Sequence, residues 1–173
     1  MNNQDTTVTS KDLAELERQL DRAPRGVEKI PARCVCGNPL TVMTSPRLED
    51  GTPFPTVFYL THPGAVRACS VLEAEKFMET MNDTLQNDIE LQKKYSKAHE
   101  NYIAQREQLG EVPEIKNVSA GGMPTRIKCL HALLGHTLSV GRGINPIGDW
   151  VLDVITERNL WNESECFCKK ENE

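Results

Sequence analysis

The chain has 173 residues, with 20 basic against 25 acidic side chains and a formal net charge of −5. This length suits one domain with short tails. The acidic balance disfavours a general nucleic-acid or anionic-membrane surface, and no stretch approaches the roughly 18 apolar residues of a membrane span. The first residues lack a basic start followed by an apolar run, so we expect a cytoplasmic protein whose partners are small molecules or proteins.

The N-terminal part predicts one helix and a small sheet. Residues 1–10 are polar, and we expect them to be flexible. Ser10 is suited to cap a helix over residues 11–20, whose leucines are spaced by three and four. β-like runs separated by turn-forming residues follow at 28–34, 40–44 and 55–61. Because these runs are short and close in sequence, we expect a three-stranded antiparallel meander.

About four helices are predicted after the meander, at residues 62–81, 83–109, 124–141 and 145–158. Pro63 and Pro124 suit first helical positions, and Asn145 suits the N-cap of the last helix. Strands followed by helices define an α+β fold, here a single domain over residues 11–160. The charged residues 161–173 are expected to form a flexible tail.

Six cysteines in a chain without an export signal indicate thiols or metal ligands rather than a disulfide scaffold. In an antiparallel meander the end of the first strand lies beside the start of the second and the end of the third. That geometry places Cys34, Cys36 and His62 at one edge. With Cys129 or His131 as a fourth ligand, this set predicts a zinc site.

The other cysteines have less specific surroundings. Cys69 lies in an apolar stretch and is interpreted as a buried small hydrophobe. Cys166 and Cys168 are interpreted as a tail feature that the domain does not need.

Helix geometry limits the chemistry available to Cys129. In a helix that begins at Pro124, Cys129 and His131 point to nearly opposite sides, whereas His136 lies about 10 Å away along the axis. Nucleophilic catalysis by Cys129 would then need His62 or His99 from another element as its base. The alternative is a partly buried thiol beside histidines whose ring nitrogens meet backbone carbonyls.

Two glycine-rich turns suggest an anion-binding site. Gly121 and Gly122 precede the expected helix start at Pro124, where unpaired N–H groups would point outward. Arg126 and Lys128 add positive charge, and Arg142 lies in the second turn. The alternative is that the glycines form ordinary turns and that the cations are solvated.

A polar face is predicted on the helix over residues 83–109, where side chains recur at intervals of four, three and four. The residues are Tyr95, His99, Tyr102 and Arg106. They could grip a polar ligand together, or they could pack the helix against the rest of the protein.

In chain order the sequence contains the segments RCVCGNP, PRLEDGTPFPTVFYLTHP, YSKAHENY, GGMPTRIKCLHALLGH and GINPIGD. Together they resemble an uncharacterised bacterial family catalogued as domain of unknown function 501, over residues 20–155. The resemblance implies no activity and no catalytic residue. In the family pattern the position of Cys36 holds other residues as well, which argues against a zinc site that requires Cys36. The terminal CFC lies outside the resemblance.

Genes of this family often neighbour a septum-formation coiled-coil protein and an exopolyphosphatase, which by association implies cell division or phosphate metabolism. This chain itself has no sustained heptad repeat. The leading hypothesis from the sequence is a binding or accessory protein with an anion-recognising pocket. The alternatives are a zinc-dependent hydrolase and a structural interaction protein linked to cell division.

Overall fold

The computed structural model describes residues 5–168, in which an N-terminal helix and a three-stranded antiparallel sheet precede the remaining helices. The elements are α1 (Ser10–Leu20), β1 (Val27–Arg33), β2 (Pro39–Thr44), β3 (Phe58–Leu60), α2 (Pro63–Ala74), α3 (Phe77–Asn87), α4 (Ile89–Glu107), a 3-10 turn (Pro113–Ile115), α5 (Leu130–Val140) and α6 (Pro146–Glu157). This confirms the α+β prediction, with six α-helices in the described residues. None of these helices is long and apolar enough to cross a membrane.

The sheet is a meander in the order β1-β2-β3, and both of its strand pairs are antiparallel. The central strand β2 is buried along its whole length because helices cover both faces. On one face Leu16 of α1 packs with Ile30 and Val42 in a small apolar cluster. The other face belongs to the main core, which includes four leucines of α5, namely Leu130, Leu133, Leu134 and Leu138.

The N-terminal segment is bound to β1, in contrast to the flexible segment expected over residues 1–10. The amide of Ile30 donates to the Thr6 carbonyl over 3.0 Å. Thr9, rather than Ser10, is the N-cap of α1 and forms a capping box with Asp12. Arg33 binds the buried Asp12 carboxylate at 2.6 Å. Residues 1–4 lie outside the described part of the chain.

The break between the second and third helices falls earlier than residue 82. α2 ends at Ala74, and Lys76 adopts a left-handed conformation with φ of 60° before α3 begins. α3 then continues to Asn87, where Asp88 caps α4 by accepting the Leu91 amide at 2.9 Å. Periodicity predicted helical structure here, but the boundaries depend on single backbone conformations.

The predicted helix start at Pro124 is wrong, since α5 begins at Leu130. The backbone ahead of it folds into a loop that bonds to itself and to Asn82 of α3. The amide of Lys128 donates to the Gly121 carbonyl at 2.7 Å, and the amide of Ile127 donates to Oδ1 of Asn82 at 2.8 Å. Cys129 is therefore the N-cap of α5 and not an interior helical residue.

Two glycines allow α5 to approach its neighbours closely. A Cβ atom on Gly135 would lie 3.1 Å from the Phe58 carbonyl oxygen of β3. A Cβ atom on Gly148 of α6 would lie only 2.3 Å from the Leu133 carbonyl oxygen, which is closer than side chains can approach. Backbone can pack this tightly only where no side chain intervenes.

The polar face expected on α4 packs into the protein. Tyr95 and Tyr102 are fully buried, and His99 bonds to Ser119 at 2.7 Å. Arg106 is 2% exposed, and its guanidinium donates to the carbonyls of Pro55, Val118 and Ile115. This face therefore fastens the loop after α4 to the core and offers little surface to a ligand.

The segment after α6 also differs from the flexible tail expected at residues 161–173. Trp161 is 1% exposed and lies with its ring centroid 5.9 Å from that of His62. Cys166, Phe167 and Cys168 pack against the main core as well. Residues 161–168 thus belong to the folded part of the chain, and residues 169–173 lie outside the described part.

We predict that Arg106→Met lowers the free energy of unfolding by roughly 3 kcal/mol, because three backbone carbonyls lose their donors at a buried position. Chemical denaturation measures this loss. Arg142→Met is the matched control, since Arg142 makes an exposed pair with Asp153 and its removal should change stability by less than about 1 kcal/mol. Equal losses in the two variants would contradict the prediction.

Candidate functional site

The turn between β1 and β2 carries two of the cysteines at its tip. The amide of Cys34 donates to the Asn38 carbonyl, and the amide of Gly37 donates back to the Cys34 carbonyl, each over 2.8 Å. The turn directs further amides at sulfur, since N–H of Cys36 faces the Cys34 thiol and N–H of Asn38 faces the Cys36 thiol. The local backbone therefore supplies donors that favour thiolate sulfur.

The C-terminal segment brings two more cysteines to this turn. The Sγ atoms of Cys34, Cys36, Cys166 and Cys168 all lie within 4.8 Å of one another. Sγ of Cys168 is 3.6 Å from that of Cys36 and 3.8 Å from that of Cys34. We call this group the four-cysteine cluster. Burial raises the pKa of the Cys34 thiol, as expected for sulfur removed from water.

His62 borders the four-cysteine cluster as the N-cap of α2. Its Nδ1 atom accepts the Ala65 amide at 3.4 Å, and its Nε2 atom lies 3.1 Å from Sγ of Cys168. Because Nδ1 acts as an acceptor, the proton of the neutral ring is on Nε2 and points at sulfur. His62 thus acts as a hydrogen-bond donor to the cluster.

The structure brings only part of the predicted ligand set together. Cys34, Cys36 and His62 meet at one edge of the meander, as strand geometry predicted. Cys129 is not part of the cluster, and Cys166 and Cys168 stand in its place. The signal that could have found them is the repeated spacing, because 34–36 and 166–168 are both Cys-x-Cys pairs.

A second polar cluster lies at the start of α5, and it corrects the expected geometry of Cys129 and His131. A carboxylate oxygen of Glu73, Sγ of Cys129 and a ring nitrogen of His131 all lie within 4.8 Å of one another. Since Cys129 is the N-cap and not a helical residue, it does not follow the angular spacing of α5. The two side chains can therefore face each other, and Glu73 on α2 faces both.

A cavity of about 680 Å³ opens beside this second cluster. Its wall includes Cys129 and His131, together with Gly121 from the glycine turn and Arg67 from α2. Most of the remaining wall is apolar, and half of its residues come from β3 and α2. This volume is in the range of small-molecule sites.

The residues predicted to bind an anion are not gathered into one pocket. Gly121 lines the cavity, whereas Arg126 and Lys128 are exposed on the segment that follows it. Arg142 donates to Asp153 at 2.8 Å, and so the second turn directs its cation at α6. Because Pro124 does not begin a helix, the N–H groups expected there are absent from this site.

His136 belongs to the core. It is fully buried, and its ring stacks on Phe58 with a centroid distance of 5.6 Å. Nδ1 faces the amide nitrogen of Asn145 at 3.2 Å, and Nε2 faces Oδ1 of Asn101 at 2.9 Å, which together define a neutral ring with its proton on Nε2. Burial lowers the pKa of His136 to about 4.

The fold and these sites define a small α+β protein with a four-cysteine cluster at one sheet edge and a thiol–imidazole pair on a cavity wall. The chain belongs to the family described as protein of unknown function (DUF501), whose model matches residues 30–153. The matched region contains Cys34, Cys36 and Cys129 but ends before Cys166 and Cys168. No curated protein and no solved structure matches the chain.

Because His136 is buried as a neutral ring, we predict that the free energy of unfolding depends on pH. Its pKa falls from 6.5 to about 4 on folding, so between these pH values the proton binds to the unfolded state only. The free energy of unfolding therefore decreases progressively as the pH falls from 6.5 to about 4. The loss amounts to about 3 kcal/mol. Urea unfolding of the wild type from pH 7 to pH 4 measures it, and His136→Gln should flatten this part of the profile. Parallel profiles would contradict the prediction.

Proposed function

We propose that this protein is a zinc-stabilised binding protein, in which Zn²⁺ held by the four-cysteine cluster fixes the C-terminal segment and the cavity beside α5 receives a ligand with an anionic group. The observation that carries the zinc proposal is the spacing of the sulfur atoms. Four thiolates around zinc at about 2.3 Å form a tetrahedron with edges of about 3.8 Å. Sγ of Cys168 lies 3.6 Å from that of Cys36 and 3.8 Å from that of Cys34, and both separations match that edge.

The separations also argue against two disulfides. Bonded sulfurs lie about 2.05 Å apart, and all four cysteines of the cluster have free thiols. A tetrathiolate site has a net charge of −2 with zinc, and N–H donors around the sulfurs offset it. His62 and the amides of Cys36 and Asn38 occupy such positions.

A structural role suits the cluster better than a catalytic one. Catalytic zinc sites keep one coordination position open for water or substrate, whereas four cysteines close the coordination sphere. The two Cys-x-Cys pairs are more than 130 residues apart in sequence, so the metal would join the first hairpin turn to the end of the fold. Closing so long a loop stabilises the folded state.

The zinc proposal predicts one equivalent of metal per chain, measured by elemental analysis of the purified protein. Cys36→Ser together with Cys168→Ser should reduce the content below about a tenth of an equivalent, because two of four thiolates are lost. Cys129→Ser is the matched control and should retain the full equivalent. Metal-free wild type, or loss of zinc from Cys129→Ser, would overturn the four-cysteine assignment.

Two further measurements separate zinc binding from mere thiol packing. When the free zinc concentration is a thousand times the dissociation constant, bound zinc adds roughly 4 kcal/mol to the free energy of unfolding. Removal of zinc by a chelator should lower the free energy of unfolding by that amount. His62→Gln should keep the stoichiometry but weaken zinc binding about 10–100-fold, because it removes a donor to Cys168 sulfur. If His62→Gln bound zinc as tightly as the wild type, the assignment of His62 as a hydrogen-bond donor to the cluster would be wrong.

The cavity supports the second part of the proposal, recognition of an anionic ligand. Arg67 and His131 place positive charge on its wall. Arg126 and Lys128 lie exposed between Gly121 and Cys129, two residues that line the cavity. Cations beside an apolar cavity suit a small molecule with an apolar body and a carboxylate or phosphate group.

We predict that Arg126→Ala together with Lys128→Ala weakens binding of inorganic phosphate at least about 5-fold, measured by titration calorimetry, since each exposed cation contributes a modest attraction. The melting temperature should stay nearly unchanged. Arg142→Ala should bind phosphate like the wild type because Arg142 pairs with Asp153. No binding to the wild type, or equal weakening in the control, would contradict anion recognition at this segment.

A further inference from the structure

The cluster of Glu73, Cys129 and His131 has the parts of a nucleophilic site. Its thiol, imidazole and carboxylate lie within 4.8 Å of one another, and both Cys129 and His131 line the 680 Å³ cavity. Glu73 is held in place because one of its carboxylate oxygens accepts the Leu130 amide at 2.9 Å. The start of α5 thus orders all three side chains.

The hydrogen bonds of His131 determine its protonation state. Nδ1 lies 3.2 Å from a carboxylate oxygen of Glu73, and Nε2 lies 3.1 Å from the Val66 carbonyl oxygen. Both partners can only accept hydrogen bonds. A neutral ring has a single N–H, so the lone pair on its other nitrogen would face the lone pair of an acceptor oxygen. Oγ of Ser70 also lies 3.2 Å from Nε2 and 3.0 Å from the Val66 carbonyl oxygen, to which it donates. Acceptors at both ring nitrogens favour the imidazolium form of His131.

An imidazolium beside a thiol favours the thiolate. The His131 ring and the Ala132 amide hold the pKa of Cys129 below its usual value, although burial opposes them. Cys129 in turn raises the pKa of His131, and Glu73 adds to that effect. The pair resembles the ion pairs of cysteine nucleophiles.

Cys69 provides a contrast on the neighbouring helix. It is fully buried, and burial raises the pKa of its thiol. A thiol in such surroundings is inert. Cys129 differs from Cys69 because it lines a cavity and lies beside the His131 ring.

We propose that Cys129 is a nucleophile for acyl transfer, with His131 as its proton donor and acceptor and Glu73 as a positioning residue. The substrate class is an ester or thioester with an apolar acyl chain. The apolar wall of the cavity motivates this choice, and its residues include Phe58, Leu60, Pro63, Val66 and Ala132.

The reaction balances without any other cofactor. Sγ of Cys129 attacks the carbonyl carbon, an S–C bond forms, and the bond from that carbon to the leaving oxygen or sulfur breaks. His131 gives its proton to the leaving group and becomes neutral. Neutral His131 then takes a proton from water, whose oxygen attacks the thioester carbon, and the S–C bond breaks to release the Cys129 thiolate. The products are a carboxylic acid and an alcohol or thiol, with the thiolate and imidazolium restored.

This inference uses the cavity of the proposed function but does not depend on zinc or on phosphate binding. Its probe is p-nitrophenyl octanoate added to the purified full-length protein near neutral pH. We expect a burst of one equivalent of nitrophenolate and an octanoyl group on the peptide that contains Cys129, found by mass spectrometry. Cys69 in the same protein is the internal control and should remain unmodified.

Variants separate the assigned roles. Cys129→Ala should abolish the burst, and His131→Gln should slow acylation about 100-fold. The pH profile of acylation in His131→Gln should also move upward, toward that of an ordinary thiol, and Glu73→Gln should move it in the same direction. If Glu73 had only a structural role, Glu73→Gln would leave the pH profile of acylation unchanged.

Three outcomes would overturn the proposal. The first is the absence of an octanoyl adduct on Cys129 in folded wild type. The second is an unchanged acylation rate in His131→Gln. The third is a second equivalent of zinc that disappears in Cys129→Ser, because Glu73, Cys129 and His131 would then be metal ligands. Zinc content and phosphate titration are measured separately, so failure of this proposal is distinguishable from failure of the proposed function.

Discussion

The close approach of α5 to β3 and α6 is the packing on which the rest of the structure depends. Gly135 lets the helix lie against the backbone of β3, and Gly148 lets α6 lie against α5. Most of α5 is buried as a result, so its N-terminus is fixed relative to both the sheet and α2. That fixed end holds Cys129 and His131 beside Glu73. The geometry of the candidate nucleophile is therefore a consequence of core packing.

Apolar packing and the cysteines act together at the opposite end of the chain. Trp161 and Phe167 pack near His62 and the main core, which returns the C-terminal segment to the turn between β1 and β2. Contacts between residues so distant in sequence carry a loop-closure cost. A metal ion bound only in the folded state would offset that cost, and the sulfur atoms are already near tetrahedral spacing.

The two thiol clusters differ in the groups that face their sulfur atoms, and this difference separates their roles. The four-cysteine cluster has N–H donors from His62 and from its own turn. Such surroundings suit sulfur that shares its charge with a metal. Cys129 instead faces the His131 ring, held between Glu73 and the Val66 carbonyl. A fixed cation beside an accessible sulfur favours reaction with an electrophile.

Local pattern alone predicted the strands, the sequence regions of the helices and the α+β class, because each depends on the periodicity and turn residues of a short segment. Antiparallel geometry also placed Cys34, Cys36 and His62 at one edge. Tertiary contacts decided the rest. α5 begins at Leu130 because amides before it bond to Gly121 and Asn82, which no local pattern reveals.

The cysteine clusters show most clearly which features the sequence reveals and which depend on tertiary contacts. The sequence contains two Cys-x-Cys pairs, and their spacing is visible without a structure. Their meeting depends on packing between residues more than 130 positions apart, which is a property of the whole fold. The sequence by itself therefore located the thiols and imidazoles, but it did not identify Cys166 and Cys168 as partners of Cys34 and Cys36. Only the tertiary structure decided their partners, because those partners are brought together by long-range burial.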